Sequence, residues 1–199
     1  MRPLVYTVPA YTVAFVIALA VWLIPERIGS FWLRSARDPT AHRQDRGSYV
    51  VVVGSIVAGL FVGFAFASQW RGAAMPWFRP QVTIAGIVLI PLGVALRWWA
   101  ILTLGSYFTF DVAVRSKQAV VHSGPYRLVR HPAYSGMLLS LLGVGLALAN
   151  WASLVVVLAG GLIGLLYRVR VEEQVLREAL GQSYVDYMRH TKRFIPFIL

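Results

Sequence analysis

The sequence predicts an all-α, polytopic integral membrane protein. It has five transmembrane helices, the last two joined as a tight helical hairpin, and a C-terminal cytoplasmic amphipathic helix. Three observations carry this expectation. Of the 199 residues, 58% are hydrophobic and 14% charged, with a mean hydropathy of +0.64, whereas soluble domains hold roughly 45–50% apolar and about 25% charged residues. Five apolar runs approach the length of about 20 residues that crosses a bilayer. The basic residues between those runs alternate from rich to poor. Such a composition excludes a soluble monomer and a disordered chain, and suits one membrane domain over residues 1–199.

The first run covers residues 4–24 and is closed by Pro25. It exceeds the roughly 7–15-residue core of a signal peptide and no small-residue cleavage site follows, so it reads as a retained helix. Residues 49–68 form the second run and residues 82–104 the third, with Arg97 as its one charge. Residues 134–149 and 151–167 are shorter and separated by Asn150 alone, which predicts a hairpin that barely crosses or sits in thinned bilayer. Gly59/Gly63 and Gly160/Gly164 have the small-xxx-small spacing of closely packed membrane helices, more readily within the chain than between copies. Seven tryptophans, Trp22, Trp32, Trp70, Trp77, Trp98, Trp99 and Trp151, lie at or near span ends as an interfacial belt. Beyond residue 171, Val175, Leu176, Ala179 and Leu180 recur at helical spacing among charges, which predicts an amphipathic helix interrupted by Gly181.

Lys+Arg is 19 against Asp+Glu 8, a formal charge of +11. That excess also suits a nucleic-acid binder, but its distribution explains it without one. Arg27, Arg34, Arg37, Arg43 and Arg46 fill the first loop, Arg115, Lys117, Arg127 and Arg130 the third. Arg168, Arg170, Arg177, Arg189, Lys192 and Arg193 fill the tail. The other side holds Arg2, Arg71 and Arg79. The positive-inside rule then places the N-terminus outside and the C-terminus in the cytosol, with no nucleic acid required. There is no cysteine, which excludes disulfides and thiolate chemistry. His42, His122 and His190 lack metal-ligand spacing, so no metal is expected.

Polar residues of chemical interest gather on the cytoplasmic side of the last three spans. In SGPYRLVRHPAYSG, residues 123–136, Pro132 disfavours helix at His131 and suits the first position of the fourth helix. Tyr126, His131 and Tyr134 therefore surround a helix start whose backbone N–H groups can take an anion. The same string also fits a basic interfacial loop anchored by tyrosines. Arg168 and Glu172 share a helix face. As an isolated pair they read first as a surface ion pair; functionally, Arg168 would fix an anion and Glu172 accept from hydroxyl or amino donors. Arg97 either snorkels to the interface or faces a polar cavity with these groups.

These strings, together with LRWWAILTLGSYFTFDV and RVRVEEQVLREALGQSYVDYMRHTKRFIP, resemble the isoprenylcysteine carboxyl methyltransferase family. That family stands within a wider group of membrane methyltransferases that includes phospholipid methyltransferases. The resemblance covers residues 96–196, about half the chain, and makes residues 81–199 the expected methyltransferase core; residues 1–80 add helices 1–2 and their loops. It implies S-adenosylmethionine as donor, bound on the cytoplasmic side by Gln118, Ala119, Val120, Val121, Tyr126, His131, Pro132, Ala133, Tyr134 and Glu172. It implies Arg168 at the acceptor carboxylate; Arg97, where it faces the polar cavity, is a second substrate-side candidate from its place inside a span. Family members often carry His-x-Leu-Val where this chain has Gln118-Ala119-Val120-Val121, and the chain looks like the short bacterial form. The expected acceptor is a prenylated or other lipophilic acid entering from membrane lipid.

Methyl transfer to a carboxylate needs no general base, because the nucleophile is already ionised at neutral pH; alignment and exclusion of water suffice. An amine, thiol or phenol acceptor would instead call on His131 or Tyr126 as base. A sterol-reductase-like enzyme using NADPH carries similar Gly-Pro-Tyr and Arg-His-Pro segments, and a non-enzymatic helical membrane protein is the third reading.

Overall fold

The computed structural model describes residues 2–35, 42–43, 45, 47–109, 112–114 and 118–196, with side chains described outside residues 30–35, 42–43 and 113–114. The basic residues Arg37, Arg46, Arg115 and Lys117, and the side chains of Arg34, Arg43 and Trp32, lie outside this set. The described chain forms helices α1 (Leu4–Thr7), α2 (Pro9–Ser35), α3 (Ser48–Gln69), α4 (Arg79–Leu104), α5 (Pro132–Ala147), α6 (Trp151–Leu180) and α7 (Gln182–His190). A two-residue antiparallel pair, His42–Arg43 with Ala113–Val114, joins the two long loops.

Three boundaries differ from the sequence expectation. The first run does not end at Pro25. It breaks at Val8, extended at φ −120°, ψ 114°, because the residue before Pro9 is driven out of the helical region. Pro25 then sits inside α2, which a membrane helix tolerates when neighbours re-satisfy the backbone. The fifth span and the amphipathic tail are not separate elements. α6 runs unbroken to Leu180, and Gly181 at φ +59° ends it ahead of α7. Trp22, expected in the belt, is buried among core residues with Ile90 and Val94, whereas Trp70, Trp77 and Trp151 are exposed.

Among the described residues, four helices are long and apolar enough to cross a membrane. The 16-residue α5 is about 24 Å long, short of the ~30 Å hydrocarbon core, as its sequence foretold. The five crossings alternate consistently. At one end Asn150 Nδ2 donates to the Trp70 carbonyl at 3.1 Å, the Met75 amide donates to the Ala149 carbonyl at 2.8 Å, and Arg79 reaches the Arg2 carbonyl. The long loops, α7 and the C-terminal strand of residues 191–196 gather at the other end.

Packing rests on small residues. α4 and α5 approach so closely that a Cβ on Gly136 would lie 2.5 Å from the Gly93 carbonyl oxygen and 2.7 Å from the Arg97 nitrogen. α3 and α6 meet through the two glycine pairs read from the sequence; a Cβ on Gly160 would stand 2.6 Å from the Ser55 carbonyl oxygen. Hydroxyls add bonds across both seams: Ser140 to the Ile90 carbonyl at 3.0 Å and Ser153 to the Gly63 carbonyl at 2.7 Å. Gly136→Val is expected to lower stability by about 1–3 kcal/mol through overpacking, read as a lower thermal midpoint in detergent. An unchanged midpoint would mean that α4 and α5 are not in backbone contact.

Candidate active site

Pro132 opens α5, and His131 stands just ahead of it at φ −125°, ψ 58°. The preceding loop tightens into a short turn at Gly124–Arg127. The C-terminal strand clamps this loop. The Arg130 amide donates to the Lys192 carbonyl at 2.7 Å, the His131 amide to the Arg193 carbonyl at 3.0 Å, and the Ser135 hydroxyl to the Phe194 carbonyl at 2.6 Å. From α7, the Tyr187 hydroxyl donates to the Tyr126 carbonyl at 2.7 Å. Under the clamp lies Glu173, fully buried, which accepts from Arg130 Nε at 3.0 Å and from Arg193 Nη2 at 2.8 Å, with His131 Nε2 at 3.4 Å.

A cavity opens beside this loop. Gln118, Ala119, Val120, Val121, Tyr126, His131, Ala133, Tyr134, Glu172 and Arg168 all line it. Pro132 does not; it is buried in the first turn of α5, where it presents its neighbours. Tyr184 and Tyr187 close the far wall. Burial pushes the Tyr126 phenol up, with the nearby Glu172 charge adding to it, and pushes Tyr187 up to about 12. Neither ionises near neutral pH, so both act as hydroxyl donors, which weakens Tyr126 as a base candidate.

A second cavity lies between α2, α3, α4 and α5, walled mainly by apolar side chains such as Trp22, Val52, Ile56 and Met137. Phe108, Thr109, Tyr134 and Arg168 line both cavities. At this junction Arg168 Nε donates to the Tyr134 hydroxyl at 2.7 Å, and that hydroxyl donates to Glu172 Oε2 at 2.7 Å. Arg168 and Glu172 are thus not a surface ion pair. Arg168 is 5% exposed, and Tyr134 stands between the two charges.

Arg97 lines the apolar cavity and is 4% exposed. Both oxygens of Glu26 on α2 accept from it, and its Nη1 donates to the Ala133 carbonyl at 3.2 Å. Paired with Glu26, it lines the apolar cavity and not the polar one that the sequence reading offered. On the α3 side, Asp45 Oδ1 accepts from Arg168 Nη1 at 2.9 Å, and the Ser48 hydroxyl lies 3.1 Å from the same nitrogen. Burial tends to raise the Asp45 carboxyl, but hydrogen bonds from the Ser48 hydroxyl and Tyr49 amide, with the Arg168 charge, hold it below the usual range.

Sequence reasoning missed Glu26, Asp45 and Glu173. The chain has only eight acidic residues, and Glu26, Asp45, Glu172 and Glu173 all bind the buried arginines, tyrosine or histidine of this region. Carboxylates that scarce, set next to apolar runs, were the available signal. Among the described residues no group of three His, Cys, Asp or Glu side chains is placed to hold a metal ion.

Residues 82–183 match the family described as phospholipid methyltransferase, just over half of the chain. The chain belongs to the phospholipid methyltransferase family. Among relatives of this methyltransferase-family chain is protein-S-isoprenylcysteine O-methyltransferase B of Arabidopsis thaliana, 32% identical over 115 residues, 57% of this chain and 58% of that protein. The cobalt-zinc-cadmium resistance protein CzcN of Cupriavidus metallidurans is 31% identical over 166 residues, 82% of this chain and 69% of that protein. The solved structure of the eukaryotic intramembrane Ras methyltransferase ICMT aligns with a TM-score of 0.54 at 26% identity, covering 94% of this chain and 62% of that one. The chain therefore spans about six tenths of the length of the plant relative and of the solved structure. The resemblance to isoprenylcysteine carboxyl methyltransferases and the helical membrane fold are both borne out, and the protein is an integral membrane protein.

Proposed function

We propose that the protein is an S-adenosylmethionine-dependent membrane methyltransferase that methylates the carboxylate of a lipophilic acid, isoprenylcysteine-like in form. The observation that carries this reading is the junction at Tyr134 and Arg168, where a polar cavity meets an apolar one. A charged cofactor and a lipid-like acceptor need two such compartments touching at one point. The relatives named as isoprenylcysteine O-methyltransferases support the reaction class.

The residues of the polar cavity fit the cofactor. The Glu172 carboxylate, partly exposed to the cavity, suits an ammonium or ribose hydroxyls. The rings of Tyr126, Tyr134 and Tyr184 suit an adenine or a sulfonium cation, and the non-helical strip 118–121 forms a wall for it. When bound, S-adenosylmethionine supplies an electrophilic methyl group on sulfur. Arg168 orients the acceptor carboxylate from the apolar side, and the Tyr134 hydroxyl holds the Arg168 and Glu172 side chains in register. An acceptor carboxylate held by Arg168 would take that methyl group, the carbon–sulfur electron pair remaining with sulfur, so the chain's own residues have only to align the two and exclude water. No proton moves, so neither His131 nor Tyr126 serves as base. His131, stacked on Tyr134 with ring centroids 5.6 Å apart, keeps the phenol in place. Orientation follows from the charge pattern: the cavity, the C-terminus and the basic loops face the cytosol and the N-terminus lies outside.

Calorimetry with S-adenosylmethionine and with NADPH separates this reading from a reductase; binding of NADPH alone, or of neither, would sink it. Glu172→Gln is expected to weaken cofactor binding about tenfold, the size of one charged hydrogen bond. Labelled methyl transferred into membrane extract should appear in a lipophilic product that releases methanol in mild alkali, as an ester does. Label resistant to alkali would mark an amine or other acceptor instead.

A further inference from the structure

The Arg168 guanidinium serves both cavities but is held from a third direction. Asp45 Oδ1 takes Nη1 at 2.9 Å, and among the described residues Asp45 lines neither cavity. It meets the guanidinium from the protein side. The same oxygen accepts from the Ser48 hydroxyl at 2.7 Å and from the Val112 amide at 3.3 Å, while Oδ2 accepts from the Tyr49 amide at 3.2 Å. One carboxylate thus ties Arg168 to the start of α3 and to the segment carrying Phe108 and Thr109, which wall both cavities. Those hydrogen bonds and the Arg168 charge outweigh its partial burial and hold its carboxyl below the usual range, so it stays charged at neutral pH.

This matters because the proposed reaction removes charge from the acceptor. A carboxylate enters as an anion and leaves as a neutral ester, so in the transition state its charge is already partly gone. An uncompensated cation facing it holds the ground state more strongly than the transition state, and such binding slows the chemical step. In a poorly solvated cavity that difference is amplified.

Resting on the carboxyl-acceptor reading above, we infer that Asp45 is a positioning residue for Arg168. It fixes the direction of the guanidinium and offsets its charge, so that the acceptor carboxylate is aligned without being locked into a tight ion pair.

The test compares the full-length protein with Asp45→Asn and Asp45→Glu in detergent, using S-adenosylmethionine and N-acetyl-S-farnesylcysteine as the acid probe. Asp45→Asn keeps the shape and an accepting oxygen but removes the charge. Its acceptor Kd should fall about threefold while kcat falls about tenfold, a split that mere loosening of the fold does not produce. Asp45→Glu, which retains the charge, should recover most of the lost kcat. Asparagine that weakens acceptor binding, or changes neither constant, overturns the inference. So does a glutamate variant that stays folded yet loses about tenfold in kcat against wild type, an outcome that can be read even if the asparagine protein cannot be purified. If the wild-type protein itself transfers no methyl group to acids, the failure belongs to the proposed function and not to Asp45.

Discussion

Replacing Arg168 with alanine is expected to lower kcat/KM for an acid acceptor by about 10²–10³-fold, equivalent to about 3–4 kcal/mol of lost transition-state stabilisation. The size follows from the site. Arg168 is buried, and its partners Asp45, Tyr134 and Ser48 are all within 3.1 Å. Truncation removes the cation facing the acceptor and leaves Asp45 without its charge partner. Affinity for S-adenosylmethionine should change less than about threefold, since Glu172 and the 118–121 wall of the proposed cofactor compartment remain. Transfer assays with cofactor binding measured in parallel check this. Unaltered acceptor kinetics in folded protein would remove Arg168 from the acceptor site.

Glu173→Ala should be the most destabilising single change, costing about 3–5 kcal/mol, because it strips a buried carboxylate from two guanidiniums at once. Arg130, on the loop, and Arg193, on the C-terminal strand, both turn to Glu173, and neither has another carboxylate among the bonds described here. Without it the clamp formed by residues 192–194 loses its anchor, and His131 loses a partner at 3.4 Å. Thermal unfolding in detergent reads the cost. Glu173→Gln, which keeps volume and one acceptor, should lose less. Equal midpoints for Glu173→Ala and wild type would show that the clamp stands without this carboxylate.

The two glutamates at 172 and 173 illustrate what was legible beforehand. Both lie in a recognisable string, and helical spacing paired Glu172 with Arg168. Spacing alone made that a surface pair; the structure puts the Tyr134 hydroxyl between them and buries the arginine. Glu173, one residue and about 100° further around α6, reaches past the other edge of the His131 ring into the clamp, which no pattern along the chain revealed. The motif residues from Gln118 to Tyr134 were legible because they are consecutive or nearly so, and a loop that returns to a helix start brings them together by itself.

Hydropathy is local and additive, so the sequence by itself determined the membrane compartment, the apolar helices and the short hairpin. The glycine spacings likewise announced the α3–α6 seam. Tertiary structure alone decided who neutralises whom. Arg168 meets Asp45 across 123 residues of chain and Arg97 meets Glu26 across 71. A buried charge takes whichever partner packing delivers within hydrogen-bond reach. The close glycine approach of α3 to α6 brings Arg168 to Asp45, and the continuation of α2 past Pro25 carries Glu26 to Arg97.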